Sequence, residues 1–211
     1  MKKKKLNSRS RSSAAWMNEH VNDLYVQLAK REGYRSRAAY KLLEINEKDR
    51  LFRPGLRLVD LGCAPGGWSQ VAARKMQYQG LILAVDILEM EPIKGVQILR
   101  GDFTDPQVLQ DIEAILSGRS LDLVISDIAP NMGGSVIVDQ AKSYYLAELA
   151  LEFASSHLKG NGRFLVKVFQ GSGYQDYVRR LKSTFCSVAV RKPKASRDRS
   201  RELYLLASTL R

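Results

Sequence analysis

Leu58-Val59-Asp60-Leu61-Gly62-Cys63-Ala64-Pro65-Gly66-Gly67-Trp68-Ser69-Gln70 reads as an apolar strand ending in an acid, a glycine-rich turn, and a helix that opens near Trp68. Such a unit makes a floor for a nucleotide-like ligand at the carboxyl edge of an open α/β sheet, because glycines let the backbone approach the ligand. The spacing is not Gly-x-Gly-x-x-Gly, and no Gly-x-x-x-x-Gly-Lys-Ser/Thr occurs. The dinucleotide fingerprint and the P-loop are therefore both excluded. A ligand with an adenosine and no pyrophosphate fits better, and S-adenosylmethionine (AdoMet) is the leading candidate.

On either side of this stretch, short apolar runs alternate with helical patterns. Strands are expected at 56–61, 80–85, 96–100, 121–126, 162–169, 187–191 and 202–207, and helices at 67–77, 106–116, 139–158 and 174–183. That order predicts an α/β chain with a mostly parallel, doubly wound sheet and helices on both faces. The last two strands, joined by a polar basic loop, suit antiparallel pairing at one edge. Before the first strand, a helical pattern runs from Ser13 to Lys30, and Ser36 suits the cap of a second helix from Arg37 to about Lys48. Residues 1–12 read as a basic flexible arm, and 13–211 as one domain. Within that domain, 13–50 form a helical extension and 51–211 a ligand-binding core.

The strand ends carry the chemistry. Successive strands end at Asp60, Asp86, Asp102 and Asp127, and the fifth carries Lys167 near its end. In a parallel sheet these positions share the ligand edge. A single aspartate there is usually a cap or turn former, but four in succession are hard to explain that way. Asp86, about twenty residues past the glycine turn, is placed to accept from both ribose hydroxyls of an adenosine, a spacing common to NAD and AdoMet sites. Asp102 is placed to meet the adenine amino group, and Asp127 to face the sulfonium. Gly66 and Trp68 are expected beside the amino acid part of the ligand, with core packing as the alternative for Trp68. Lys167, between Val166 and Val168, is costly to bury unless paired. It is either half of a buried salt bridge with Asp127 or a group that accepts a proton from a hydroxyl or orients it.

A formal charge of +12 and a pI near 9.8 point to a polyanionic partner. The cations cluster in two blocks, Lys2 to Arg11 and Arg191 to Arg201, which favours nucleic acid over a merely solvated tail. Two cysteines and two histidines are too few and too scattered for a zinc site, so no metal is expected and the thiols should be reduced. No apolar run approaches the ~18 residues of a membrane span. The initial lysines are followed by polar residues rather than the apolar core of a signal peptide. A soluble, cytoplasmic protein is expected.

Lys41, Asp127, Lys167 and Glu202 resemble the Lys-Asp-Lys-Glu tetrad of RNA 2′-O-ribose methyltransferases. The surrounding segments, Arg35 to Lys41, Asp60 to Ser69, Ser126 to Met132, Lys167 to Gly171, and Arg191 to Pro193 through Ser200 to Tyr204, are similar to the FtsJ/RrmJ (RlmE) family over nearly the whole chain. The turn alone is modestly specific, the tetrad with these flanks highly so. Cys63 departs from the alanine common in relatives, and the arm aligns least well.

The resemblance implies a Rossmann-like AdoMet-dependent methyltransferase fold that methylates the 2′-hydroxyl of a uridine in 23S rRNA. The site would lie in the peptidyl-transferase region of the large ribosomal subunit, late in assembly. Apart from that resemblance, a monomer is expected. The resemblance carries cofactor roles to Gly66, Trp68, Asp86, Asp102 and Asp127, and makes Lys167 the principal catalytic residue alongside Lys41, Asp127 and Glu202. Arg35, Arg37, Arg191, Lys192, Lys194, Arg197, Arg199 and Arg201 are expected to form the RNA surface, with Tyr204 either near the target nucleotide or packed in the core. Lysine in water titrates near 10.4 and holds its proton at neutral pH, so general-base and positioning roles for Lys167 both stand. Rival readings are a tRNA anticodon-loop methyltransferase and an AdoMet- or RNA-binding assembly factor without activity.

Overall fold

The computed structural model describes residues 23–130, 134–197 and 200–211. Residues 1–12, the first part of the expected Ser13–Lys30 helix, Asn131, Met132 and Arg199 lie outside them. The first described helix, α1 (Leu24–Glu32), opens where the Asp23 side chain accepts from Tyr25 N at 3.0 Å. The Asp23 backbone is extended, so the helix cannot run continuously through it as the sequence pattern suggested. Gly33, at φ +70°, closes α1 and the chain turns into α2 (Ala38–Asp49).

Five strands follow in parallel: β1 (Arg57–Leu61), β2 (Leu81–Asp86), β3 (Gln97–Arg100), β4 (Leu121–Ser126) and β5 (Leu158–Phe169). They alternate with α3 (Gly67–Lys75), α4 (Pro106–Leu116) and α5 (Val136–His157). After α6 (Tyr174–Thr184), β6 (Phe185–Arg191) and β7 (Glu202–Leu210) pair antiparallel, as expected for the last two strands. The sheet order is β3-β2-β1-β4-β5-β7-β6, so the reversed strand β7 lies between β5 and the edge strand β6. β5 begins four residues before its expected start because Leu158 already pairs with Leu121, directly after the last turn of α5.

Side chains alternate across a strand, and this decides which groups meet. Val59, Leu61, Val124, Phe164, Val166 and Leu205 pack under α4, α5 and α6. Leu58, Leu123, Ile125, Leu165 and Leu206 face the other way, against Leu42 of α2 and Val71 of α3. Asp60, Asp127, Lys167, Tyr204 and Glu202 have the parity of this second set. Five polar residues from four places in the chain thus reach one end of one sheet face.

Candidate active site

The glycine turn after β1 is built as its sequence suggests. Gly62, at φ +74°, donates to Val85 O at 2.9 Å, and a Cβ there would come within 2.2 Å of Ile128 Cγ1 and 3.1 Å of its Cα. Only glycine allows the turn to pass so close to the segment after β4. Asp86, at the end of β2, accepts from Ala64 N at 2.8 Å and from Leu88 N at 2.9 Å. Its carboxylate therefore fixes both the turn and the start of the next loop. An open cavity of about 570 Å³ lies along this edge, lined by Gly62, Asp86, Asp102, Phe103 and Asp127 among others. Asp102 is exposed there, and its Oδ1 accepts from the Thr104 amide and hydroxyl. The cap of α4 belongs to Asp105.

Gly66 and Trp68 do not line this cavity. Trp68 is 2 % exposed, donates its indole N–H to Ala38 O at 2.9 Å, and packs against Tyr204 with ring centres 5.6 Å apart. Its ring belongs to the core. Gly66 lies beneath Met90 and Ile93. The opposite wall comes from α5, through Lys142, Tyr145 and Leu146. Sequence reasoning missed these three because apolar and polar residues are spread around α5 with no periodicity to mark one face as ligand-facing.

The tetrad is assembled as two ion pairs. Lys167, 8 % exposed, donates to Asp127 Oδ1 at 3.0 Å and to the Asp127 main-chain oxygen at 2.5 Å. Lys41 Nζ lies 2.6 Å from Glu202 Oε1, and both side chains are largely buried, not solvated as their sequence positions alone would suggest. Tyr204 joins the pairs. Its hydroxyl donates to Asp127 Oδ1 at 3.0 Å, and Lys41 Nζ lies 5.8 Å from its ring centre. Tyr204 has no exposed surface, so it cannot stack on a nucleotide, and the expected RNA contact gives way to an internal role. Burial, with Asp127 and Glu202 adding to it, pushes its hydroxyl well above the ordinary tyrosine range, which keeps it a donor. A second cavity of about 450 Å³ is lined by Arg37, Lys41, Arg197, Ser200 and Glu202, and so includes the Lys41–Glu202 pair in its wall.

Asp60 is a further group the sequence did not single out as a site residue. It is fully buried, accepts from Ser69 Oγ at 2.6 Å through Oδ2, and has no hydrogen-bond partner on Oδ1. Burial pushes its carboxyl up to about 7; the Ser69 hydrogen bond works against this, and the nearby Asp127 and Asp86 carboxylates add to it.

The expected RNA surface is divided. Arg191 makes a two-pronged pair with Asp49 at 2.7 and 2.6 Å, and Lys192 donates to the Ser200 and Glu202 main-chain oxygens. Arg37 binds Asp23 and Ala195 O, and Arg197 lies 3.8 Å from Asp23. These groups knit residues 192–197 to α1 and α2, and for Arg191 the expected phosphate role gives way to a structural one. Lys194 and Arg201 are exposed. Arg35 is tied to main-chain oxygens of the glycine turn and of the β2–β3 loop. No described helix is long and apolar enough to cross a membrane, and the described residues contain no cluster of three or more metal-ligating side chains.

Residues 34–210 match the family model of FtsJ-like methyltransferases. A curated relative from Chromobacterium violaceum, ribosomal RNA large subunit methyltransferase E, is 59% identical over 94% of this chain and 97% of its own. A crystal structure from Plasmodium falciparum, described as a ribosomal RNA methyltransferase, superposes with a TM-score of 0.75 at 31% identity. It covers 84% of this chain and 98% of that one. A methyltransferase-fold structure from Streptococcus mutans, solved with SAH, reaches a TM-score of 0.52 at 14% identity over 82% of this chain and 96% of that one, a likeness of fold alone. A family match over that much of the chain, with relatives this similar along most of their length, leads to one conclusion: the chain belongs to the FtsJ-like methyltransferase family.

Proposed function

We propose that this chain uses AdoMet to methylate a ribose 2′-hydroxyl of a uridine in 23S rRNA, within the peptidyl-transferase region of a nearly assembled large ribosomal subunit. The observation that carries the reading is the buried ammonium of Lys167 held on Asp127, with Asp127 on the first cavity and Lys41 and Glu202 on the second. The first cavity suits AdoMet: the turn at Gly62 admits a ligand close to the backbone, and Asp86 and Asp102 offer carboxylate oxygens for ribose hydroxyls and an adenine amino group. When bound there, AdoMet supplies a methyl group on a cationic sulfur. The charge of Asp127 is favourable beside that cation.

The second cavity, with Arg37, Lys41 and Arg197 on its walls, suits a nucleotide and its phosphates. Lys167 turns ammonium hydrogens on two oxygens of Asp127, which leaves one N–H for the ribose oxygen. In this arrangement Lys167 holds and orients that oxygen; as the oxygen–methyl bond forms, the methyl–sulfur bond breaks, the sulfur leaves neutral and the hydroxyl proton passes to solvent. Much of the rate then comes from holding oxygen and methyl group in line. The name of the Chromobacterium relative supports the ribosomal substrate. Labelled AdoMet offered with large subunits or with tRNA, followed by nucleotide mapping, tests the reading. Methylation of one ribose in 23S rRNA is expected. Labelled tRNA would move the substrate to the anticodon loop, and no label in either RNA would leave an assembly factor.

A further inference from the structure

Between β2 and β3 the chain runs through residues 87–96 without regular secondary structure. Ile87 and Leu88 line the first cavity, and the middle of the loop lies on the glycine turn. A Cβ at Gly66 would come within 2.7 Å of both Met90 Sδ and Ile93 Cδ1. A segment with so few backbone hydrogen bonds of its own belongs to the low end of local stability. Asp86 holds its start through Leu88 N. Its middle is held by a residue distant in sequence. Arg35 donates to Glu91 O at 2.7 Å and Pro92 O at 2.8 Å, and also to Pro65 O of the turn at 3.2 Å.

One guanidinium therefore ties the loop to the turn that it covers. Arg35 is itself fixed, because its main-chain N–H donates to Gln70 Oε1 at 2.8 Å on α3. Gln70 and Arg74 donate in turn to Gly33 O, and the Arg74 guanidinium lies 4.3 Å from the Tyr34 ring centre. A planar fork suits several carbonyl oxygens at once, which a lysine point charge does not.

We infer that Arg35 is a positioning residue for the cofactor cleft: it clamps the 87–96 loop onto the glycine turn and so pre-forms one wall. This rests on the AdoMet reading of that cleft. Without the clamp, the loop must be ordered when the ligand binds, and that cost appears in ligand affinity. The effect falls on AdoMet, not on RNA.

The test uses the full chain, wild type, Arg35→Ala and Arg35→Lys. AdoMet Kd is measured by calorimetry without RNA, AdoMet KM and kcat on large subunits, and subunit affinity against salt. Arg35→Ala should weaken AdoMet binding about tenfold. Its kcat at saturating AdoMet should stay within about twofold and its salt slope should not change, while Arg35→Lys recovers only part of the affinity. An unchanged AdoMet Kd together with a salt slope reduced by about one would make Arg35 a phosphate contact and overturn the inference.

Pro92→Gly loosens the same loop from its other side, and covers the case in which Arg35→Ala fails to fold. It should also weaken AdoMet binding, and the loss should be less than additive with that of Arg35→Lys. Full additivity, or no loss, counts against the clamp. A wild-type chain that binds no AdoMet would refute the cofactor reading itself, whereas wild-type binding that Arg35→Ala and Pro92→Gly both leave unaltered would refute the clamp alone.

Discussion

Tyr204 owes its place to strand pairing: it stands opposite Lys167 in the β5–β7 register, so its ring passes beneath the ion pair and its hydroxyl reaches Asp127. Tyr204→Phe keeps the ring and removes one donor from a carboxylate that Lys167 still holds. Stability should fall by about 1 kcal/mol in chemical denaturation. The turnover number should drop about tenfold with AdoMet KM within about threefold, since the Tyr204 hydroxyl orients Asp127 while Lys167 still holds that carboxylate in place beside the sulfonium. A raised KM at constant turnover would contradict that role.

Asp60 makes a separate prediction. Its folded-state carboxyl is raised to about 7 from an ordinary value of 3.8, so between those values the native state binds the proton that the unfolded state has lost. Stability contributed by this group is present below the unfolded value and fades as pH rises towards 7. Asp60→Asn has no such proton to lose. Its stability relative to the wild type should therefore improve by about 2–3 kcal/mol between pH 5 and pH 8 in denaturant titrations. A difference independent of pH would mean that the carboxylate is charged in the folded protein at both values.

The elements were legible where local and long-range preferences agree. The parallel half of the sheet reads directly from short β-branched runs ending in aspartates, because strands buried on both faces need continuous apolar sequence. The start of β5 did not, because Gly160 looks like a breaker, whereas Leu158 already pairs with Leu121 of β4 and the register shifts before Arg163. Glycines at the amino ends of the strands give a test of the frame itself. Gly80, at φ +103°, leads into β2, and a Cβ there would lie 2.2 Å from Leu56 O. Gly55, at φ +80°, has open space around it. Gly80→Ala should cost about 2–4 kcal/mol and Gly55→Ala about 1 kcal/mol by thermal or chemical unfolding, because the first adds a backbone clash to the strain that both share. Equal losses would show that strain alone decides.

At the scale of the whole chain, charge was the strongest sequence signal and the one most altered by the fold. The excess of +12 is real and draws the protein towards a polyanion. Yet Arg191 is held by Asp49, 142 residues away, and Lys192 by main-chain oxygens, partnerships no local pattern reveals. The strand ends told that Asp86, Asp102 and Asp127 would share one edge and that Lys167 would lie beside Asp127. Lys41 and Glu202 needed the family pattern, since each looks ordinary in its own helix or strand. Of the two readings open for Tyr204, a nucleotide contact and core packing, burial favours the second, and the sequence could not choose because alternation fixes the face of a side chain but not its depth.

The account turns on Lys167 acting on the acceptor oxygen and not on the donor. Lys167→Ala, assayed for ribose methylation of large subunits and by calorimetry for AdoMet, tests this most directly. Transfer should fall by about a thousandfold or more, with AdoMet affinity within about threefold of the wild type and the fold intact by circular dichroism. Transfer that survives, or AdoMet binding lost together with it, would contradict the account.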